Sequence, residues 1–526
     1  MIKSLISCLV IGLLGISSLS GQIDNYTAGL NGQKFDWLLY YLEENYVDEV
    51  NRDSLTEIAI RSLVAQLDPY STYKTKEEVE EQQNADKGYS GKATGFNFYM
   101  INDTALVTYI FSGGPAEKAG LIKGDLITHV NGESVIGADY NYLKSIFDNK
   151  ENDLVDLGIK RDRKYDQRLH FDKALVPWLS VNAAYMMTES IGYIKLGKFT
   201  LKTMEEFIPS LNYLKSLGMQ EVILDLRGNN GGVKNQALEL ADVFLGSGKK
   251  VYSTGGANLE SEEYIAQDGG EWERGKVVIL QDAYTASASE IFVAAMQEWD
   301  RAVVLGVSTY GKGLIQQSYK LGDGSNIRLT IGRYYTPTGR HLQRTGTNNN
   351  DWLQPYRDAL RKNSLTKDLV VTDDLKTKTM GGRNILAGPG GIIPDIHYIF
   401  ESKEDWSLIN QLKNNGSLYY FTTNYVFNNR ADMISKYKSV NALFTDRLFE
   451  AFMLKDLRSY LKNSYPNISL PSNFPNNIIN QVKTWMASQL WHDNAFYEAD
   501  NMDDRTMFRA REVIENDLHD SLGVGY

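Results

Sequence analysis

Two reactive side chains sit at structural transitions in the stretch Val277–Gln317: hydroxyls of Ser287 and Ser289, and the amine of Lys312. A serine becomes a nucleophile near neutral pH only beside a base, and an uncharged lysine can serve as one. To be uncharged there, the lysine must lose about three pH units from its ordinary pKa, which demands burial away from water and acids. Lys312 is flanked by Gly311 and Gly313, with no acid nearer in sequence than Asp300 and Asp323. At a helix start, the N–H groups of Ser287 and Ala288 could hold a developing oxyanion. A second source of N–H donors is the Gly231-Gly232 turn, placed between a strand pattern and a helix pattern. Each feature also has an ordinary explanation. Serine is a common helix cap, lysine is common in solvated loops, and paired glycines often serve a tight turn. Residue types alone leave Ser287 and Ser289 as rivals.

The elements that must position these groups can be read from periodicity. Val277–Leu280 is a short apolar run expected as a buried strand, and a helix is expected from about Ala286 to Trp299 with Ile291, Phe292, Ala295 and Met296 on one face. Ala302–Gly306 reads as the next strand. Upstream, strand patterns at Ile191–Leu196 and from Glu221 alternate with helix patterns at Thr203–Leu217 and Asn235–Leu245. Strands alternating with helices argue an α/β layered core. Between Gly88 and about Leu175 the pattern changes to short strands and glycine turns, with a short helix ending at Gly120, an Asn131-Gly132 turn and a helix at Tyr140–Phe147. The N-terminal portion is helical at Phe35–Leu42 and Leu55–Leu63, and Glu77–Asp86 reads as a solvated helix or linker. Ile327–Ile331 and Arg333–Arg340 continue the strand-and-turn pattern. Residues 346–382 are polar and irregular and receive no assignment. From Trp406 onward the chain is rich in Asn, Tyr and Leu, with helices expected at Leu443–Leu461 and Ile478–Trp491, and it reads as a separate helical domain.

Composition narrows the function classes. The 526 residues suffice for about three domains. The formal net charge of −11 argues against nucleic acid or an anionic membrane surface as the main partner. Residues 1–21 combine Lys3, an apolar run and small residues before Gln22, the pattern of a cleaved secretory signal, which predicts secretion across the inner membrane to the periplasm or cell envelope. The only cysteine, Cys8, lies in that segment, and its context superficially resembles a lipoprotein box. The remaining chain has no thiol for disulfides, metal sites or nucleophilic catalysis. No spanning segment is expected after signal removal. The six histidines, at 129, 170, 341, 397, 492 and 519, show no metal-ligand spacing, so neither metal nor cofactor is expected.

Taken together, these motifs resemble the carboxyl-terminal processing (tail-specific) serine peptidases over roughly residues 34–400. The matching pieces are Leu67-Asp-Pro-Tyr-Ser-Thr-Tyr73, the 88–174 set, which resembles a PDZ domain, Asp225-Leu-Arg-Gly-Asn-Asn-Gly-Gly232, Ser287-Ala-Ser-Glu290, Tyr310-Gly-Lys-Gly313 with Gln316, and Gly391-Ile-Ile-Pro-Asp395. The resemblance implies a multidomain α/β fold: a crotonase/ClpP-like layered core with an inserted small β-rich PDZ domain and helical N- and C-terminal regions. It implies Ser287 as nucleophile, Lys312, 25 positions later, as general base, and Gln316 as the group orienting the lysine. Ala288 and either Gly231 or Gly232 would form the oxyanion hole. Gly95, Phe96, Asn97 and Phe98 would form the loop that takes a peptide carboxylate. Two places depart from the family pattern: Asn230 stands where proline or glycine is usual, and Lys92–Phe96 lacks the Gly-Gly-Ile-Gly entry.

The expected organisation is a signal at 1–21, a helical region at 22–87, a PDZ domain at 88–174, a peptidase core at 175–405 and a helical domain at 406–526. The expected function is endopeptidase action near the accessible C-terminal tails of polypeptides, with no nucleic-acid partner and with homo-oligomerisation left open. Two other classes fit parts of the pattern. A catalytically silent peptide-binding scaffold would lack Ser287, Lys312 or Gln316, all of which are present. A small-molecule acyl hydrolase on a related fold would not need the PDZ-like module.

Overall fold

The structure is a computed structural model that describes residues 30–161, 164–267, 270–344, 376–387, 390–398, 407–491 and 494–525. The expected signal and Cys8, and most of the unassigned 346–382 stretch, lie outside these residues. The chain divides into two compact units, residues 1–74 with 318–329, and residues 75–317 with 330–526.

In the first unit the chain is helical through residue 45 and again at Arg52–Val64, where Asn51 caps the helix by accepting from Ser54 N–H at 2.9 Å. Asp68 explains the Leu67-Asp-Pro-Tyr-Ser motif. Its carboxylate accepts from the N–H groups of Tyr70 and Ser71, both at 2.8 Å, and from Ser71 Oγ at 2.7 Å, folding the chain into the strand Thr72–Lys74. That strand pairs antiparallel with Asn326–Arg328.

The second unit is built around two large sheets. The first comprises β1 (Phe96–Ile101), β2 (Thr104–Ile110), β3 (Leu126–Val130), β4 (Leu154–Arg161) and β5 (Tyr165–Asp172), antiparallel and in that order, with α1 (Tyr140–Asp148) packed over it. Its core joins Phe96, Val107, Ile127, Leu143, Phe147 and Leu157. Asn131 at φ 52° and Gly132 at φ 85° make the expected Asn-Gly turn after β3.

The second sheet runs β6 (Val181–Met186), β7 (Ile191–Leu196), β8 (Glu221–Asp225), β9 (Val277–Gln281), β10 (Val303–Gly306) and β11 (Ile396–His397) in order. β6 is antiparallel to β7, and every later pair is parallel. Strands β8 to β10 are apolar on both faces, as a parallel sheet covered on both sides requires. Val222, Leu224, Ile279 and Val304 face α2 (Thr203–Ser216), α3 (Lys234–Phe244) and α4 (Ala288–Glu298) in one core. Ile223, Val278, Leu280, Val303 and Leu305 form the opposite core.

What covers that opposite face departs from the sequence reading. Met507, Ala510, Val513 and Ile514 of a C-terminal helix lie against it. The segment after 406 therefore does not pack on itself alone. Helices α5 (Ser417–Lys436), α6 (Arg447–Ser464) and α7 (Asn476–Leu490) share a core of their own, but α8 (Arg505–Glu515) completes the layered core. The helix expected at Leu443–Leu461 is also interrupted. Asp446 ends Val440–Thr445 and caps α6, accepting from Phe449 N–H at 2.9 Å.

Candidate active site

The turn between β9 and α4 is fixed by one carboxylate. Asp282 Oδ1 accepts from Tyr284 N–H at 2.9 Å, Thr285 N–H at 3.0 Å and Gly228 N–H at 3.0 Å. Thr285, fully buried, donates its hydroxyl to the Leu226 carbonyl at 2.9 Å. The ends of β8 and β9 are thus tied together. The chain then reaches Ser287 at φ 58°, ψ −117°. A non-glycine residue there stores about 1–3 kcal/mol, which the surroundings must supply. This is the sharp strand-to-helix turn on which an exposed nucleophile is carried. It also starts the helix at Ala288 rather than at the expected Ala286.

Glu290 holds the turn. It is fully buried and its carboxylate accepts four hydrogen bonds. Oε2 takes the N–H of Ser287 and the N–H of Lys312, both at 2.8 Å. Oε1 takes Thr309 Oγ1 at 2.5 Å and Gly311 N–H at 2.6 Å. Because one oxygen receives both bonds, the backbone nitrogens of Ser287 and Lys312 can be no further apart than the two bonds laid end to end. Burial pushes the Glu290 carboxyl above its ordinary pKa, and the four donors pull against that shift. The Ser287 N–H, expected as a free donor, is therefore committed to Glu290.

The glycines around Lys312 are there for close approach of backbone. At Gly311 (φ 89°) a Cβ would lie 2.9 Å from Arg344 Cβ and 3.1 Å from Gly391 N, and at Gly313 one would run into Gln343 N. Arg344 fastens the loop by donating to the carbonyls of Tyr310 at 3.1 Å and Thr309 at 2.9 Å. The Gly391–Asp395 segment supports it from behind. Ile392 N–H donates to Thr309 Oγ1 at 2.7 Å, and Asp395 accepts from Val304 N–H at 2.8 Å while pairing with Arg383. Lys312 and Gln316 are half-buried, Gln316 on the strand Leu314–Lys320.

The Gly231-Gly232 turn meets the serine directly. A Cβ on Gly231 (φ 94°) would sit 2.9 Å from Ser287 Cβ and 3.0 Å from Ala288 N, and one on Gly232 would run into the Phe199 carbonyl oxygen. Buried Asn229 joins the two segments. Its Oδ1 accepts from Gly231 N–H at 3.0 Å and from Ser289 Oγ at 2.9 Å, and its carbonyl accepts from Ala286 N–H at 3.0 Å. Ser289 is fully buried with its hydroxyl spent on Asn229.

Sequence comparisons give the family. Residues 190–350 match Peptidase family S41 and residues 106–161 match a PDZ domain. A Staphylococcus aureus (strain MRSA252) protein described as a "Probable CtpA-like serine protease" is 31% identical over 358 residues, covering 67% of this chain and 71% of that protein. The chain belongs to peptidase family S41. The carboxy-terminal processing protease CtpA of Bacillus subtilis (strain 168) is 29% identical, covering 65% of this chain and 72% of its own. Among solved structures, the photosystem II D1 C-terminal processing protease aligns at TM-score 0.35 and 24% identity, covering 58% of this chain and 83% of that one. As an S41 member the chain is a serine-type C-terminal processing peptidase, and its substrates are polypeptides.

In this S41 chain the residues expected as the carboxylate loop belong to the first sheet, and Ser287 to the second. Gly95, at φ 80°, abuts Pro115, while Phe96, Asn97 and Phe98 open β1, an end strand of the first sheet. Several residues that shape the peptidase site carried no role in the sequence reading: Glu290, Thr309, Asn229 and the Asp225 cluster. A glutamate three places after a helix-start serine has capping-box spacing, the one local signal available for Glu290. Asp225 is buried. Burial pushes its carboxyl up, but Arg227, Lys195 and their hydrogen bonds outweigh this and hold it well below the usual carboxylate range. Among the described residues no group of three His, Cys, Asp or Glu side chains could hold a metal ion, and no helix is long and apolar enough to cross a membrane.

Proposed function

We propose that this S41 peptidase cleaves near the C-termini of envelope or secreted polypeptides with a Ser287/Lys312 dyad. The observation that carries the reading is the Glu290 carboxylate, whose single Oε2 accepts from the N–H groups of both Ser287 and Lys312. Neutral Lys312 takes the proton of Ser287 Oγ as Oγ attacks the scissile carbonyl carbon, and Gln316 orients the amine. The carbonyl oxygen becomes an oxyanion, stabilised by the Ala288 N–H and an N–H of the Gly231-Gly232 turn. Collapse breaks the C–N bond, with the lysine proton passing to the leaving amine. Water, deprotonated by the same lysine, then releases the acyl group from Ser287. Each oxyanion donor is worth on the order of 3 kcal/mol in the transition state. The fully buried Ser289, bound to Asn229, favours Ser287 as the nucleophile.

The Gly95–Phe98 loop and the free edge of β1 are proposed to receive the substrate's terminal carboxylate and extended tail. Residues 1–21 are proposed as the secretory signal that delivers the chain to the envelope. A fluorophosphonate serine probe, mapped by peptide mass spectrometry, tests the catalytic assignment. We expect the adduct on Ser287 in the intact protein and its loss in Lys312→Ala. An adduct on another serine, or equal labelling without Lys312, would contradict it.

A further inference from the structure

The segment after residue 406 lies beyond the 190–350 family match, yet one of its side chains reaches the start of the oxyanion turn. Asp504 caps α8, its Oδ1 accepting from Thr506 N–H at 2.8 Å and Met507 N–H at 3.3 Å. Its other oxygen, Oδ2, pairs with Arg227 NH1 at 2.6 Å. Arg227 is fully occupied at its other side. Its Nε lies 3.0 Å from Asp225 Oδ1, its NH2 lies 2.7 Å from Asp225 Oδ2, and its backbone N–H donates to Asp225 Oδ1 at 2.9 Å. Lys195 Nζ bonds Asp225 Oδ1 at 3.1 Å and the Arg227 carbonyl at 2.5 Å. Two cations, Lys195 and Arg227, thus contact the carboxylates of Asp225 and Asp504, and Asp500 adds its charge close by. The chain leaves this cluster directly into Gly228 and the turn that brings Gly231 against Ser287 and Ala288.

We propose that Asp504 is a positioning residue for the peptidase reaction, holding the Arg227 end of the oxyanion turn from the C-terminal segment. Arg227 bridges a fixed carboxylate on the sheet and a fixed carboxylate at the α8 cap. Deleting Asp504 leaves NH1 without this charged partner, so the guanidinium reorients. Its backbone is the first residue of the turn, and Gly231 has no slack against Ser287. A shift well under 1 Å there changes oxyanion geometry while leaving substrate binding elsewhere intact. The proposal rests on the reading of the Gly231-Gly232 turn as an oxyanion site.

The test uses the full chain and two substitutions that preserve the cap, Asp504→Ser and Asp504→Asn, with Asn keeping a weaker neutral bond to Arg227. For an unstructured-tail peptide we expect kcat to fall about tenfold or more in Asp504→Ser with KM changed by less than about twofold, and a smaller loss in Asp504→Asn. In an Arg227→Lys background, Asp504→Ser should add clearly less than it does alone. Thermal melts of each variant identify folded protein, and Asp504→Asn carries the comparison if the serine variant does not fold. Unchanged kcat in a folded variant of lowered Tm would show that Asp504 only caps α8, and a raised KM at unchanged kcat would equally overturn the proposal. Adduct mapping to Ser287 is independent of these outcomes, so failure of the serine assignment and failure of the Asp504 assignment are told apart.

Discussion

Glu290 does at residue scale what two separate loops cannot do for themselves. A carboxylate with four N–H or O–H donors offers acceptors only, whereas an amide in its place would turn an NH2 toward donors. Glu290→Gln should therefore cost about 2 kcal/mol or more, measured by denaturant unfolding, because buried N–H groups are left unpaired. We expect peptide cleavage in the same variant to fall by about 100-fold or more, since both loops lose their common anchor. Gly313→Ala should act on the lysine loop alone, its new Cβ driving the loop off Gln343, with cleavage reduced more than stability. The residues of this centre were visible in the sequence as types and spacings, and the family resemblance ranked them. The anchor was not visible. Its partners, Ser287, Thr309, Gly311 and Lys312, are joined across the gap between two sheet crossovers, and only the folded backbone shows that one carboxylate meets all four.

The elements were legible where periodicity was strong and lost where packing decides. Strands β7 to β10 and helices α2 to α4 follow from apolar runs and helical spacing. Helix α8 did not stand out, because Met507, Ala510, Val513 and Ile514 alternate with Arg505, Arg509, Arg511, Glu512 and Glu515. Its apolar stripe has meaning only once the sheet behind it is known to be apolar on both faces. Met507→Ala should remove about 2–5 kcal/mol of stability, read as a lowered Tm, by opening a cavity under β8 to β10. Acid should stress the same layer. His519 is buried with Nε2 3.1 Å from the Val277 carbonyl, and burial lowers its pKa; His397 at β11 is lowered for the same reason. A histidine with a folded pKa below its unfolded value costs nothing while neutral in both states. Stability is complete above about pH 6.5 and is lost as pH falls through that value toward the folded pKa. Tm should decline between pH 7 and 5, and His519→Gln should flatten that decline.

At the scale of the whole chain, the family matches and the C-terminal segment tell different stories. The S41 peptidase and PDZ domains match the family comparisons over 190–350 and 106–161. The C-terminal segment does more than a separate domain would. It contacts the first sheet, where Tyr99 meets Tyr419 and Tyr420 at ring centroid distances of 5.2 and 6.0 Å and Lys123 Nζ bonds the Ser488 carbonyl at 3.3 Å. It also covers the second sheet through α8 and reaches Arg227 through Asp504. Composition hid this, because a run rich in Asn and Tyr reads as a new domain while its burial depends on surfaces hundreds of residues away. Whether Ser287 and Lys312 act as one unit is settled by a double-mutant comparison. kcat/KM for an unstructured-tail substrate is measured for the intact protein, Ser287→Ala, Lys312→Ala and the double variant, each verified as folded. Groups that act as a unit are strongly non-additive, so we expect each single substitution to reach the low level of the double. Retained cleavage in Lys312→Ala, or losses that multiply in the double variant, would contradict the dyad.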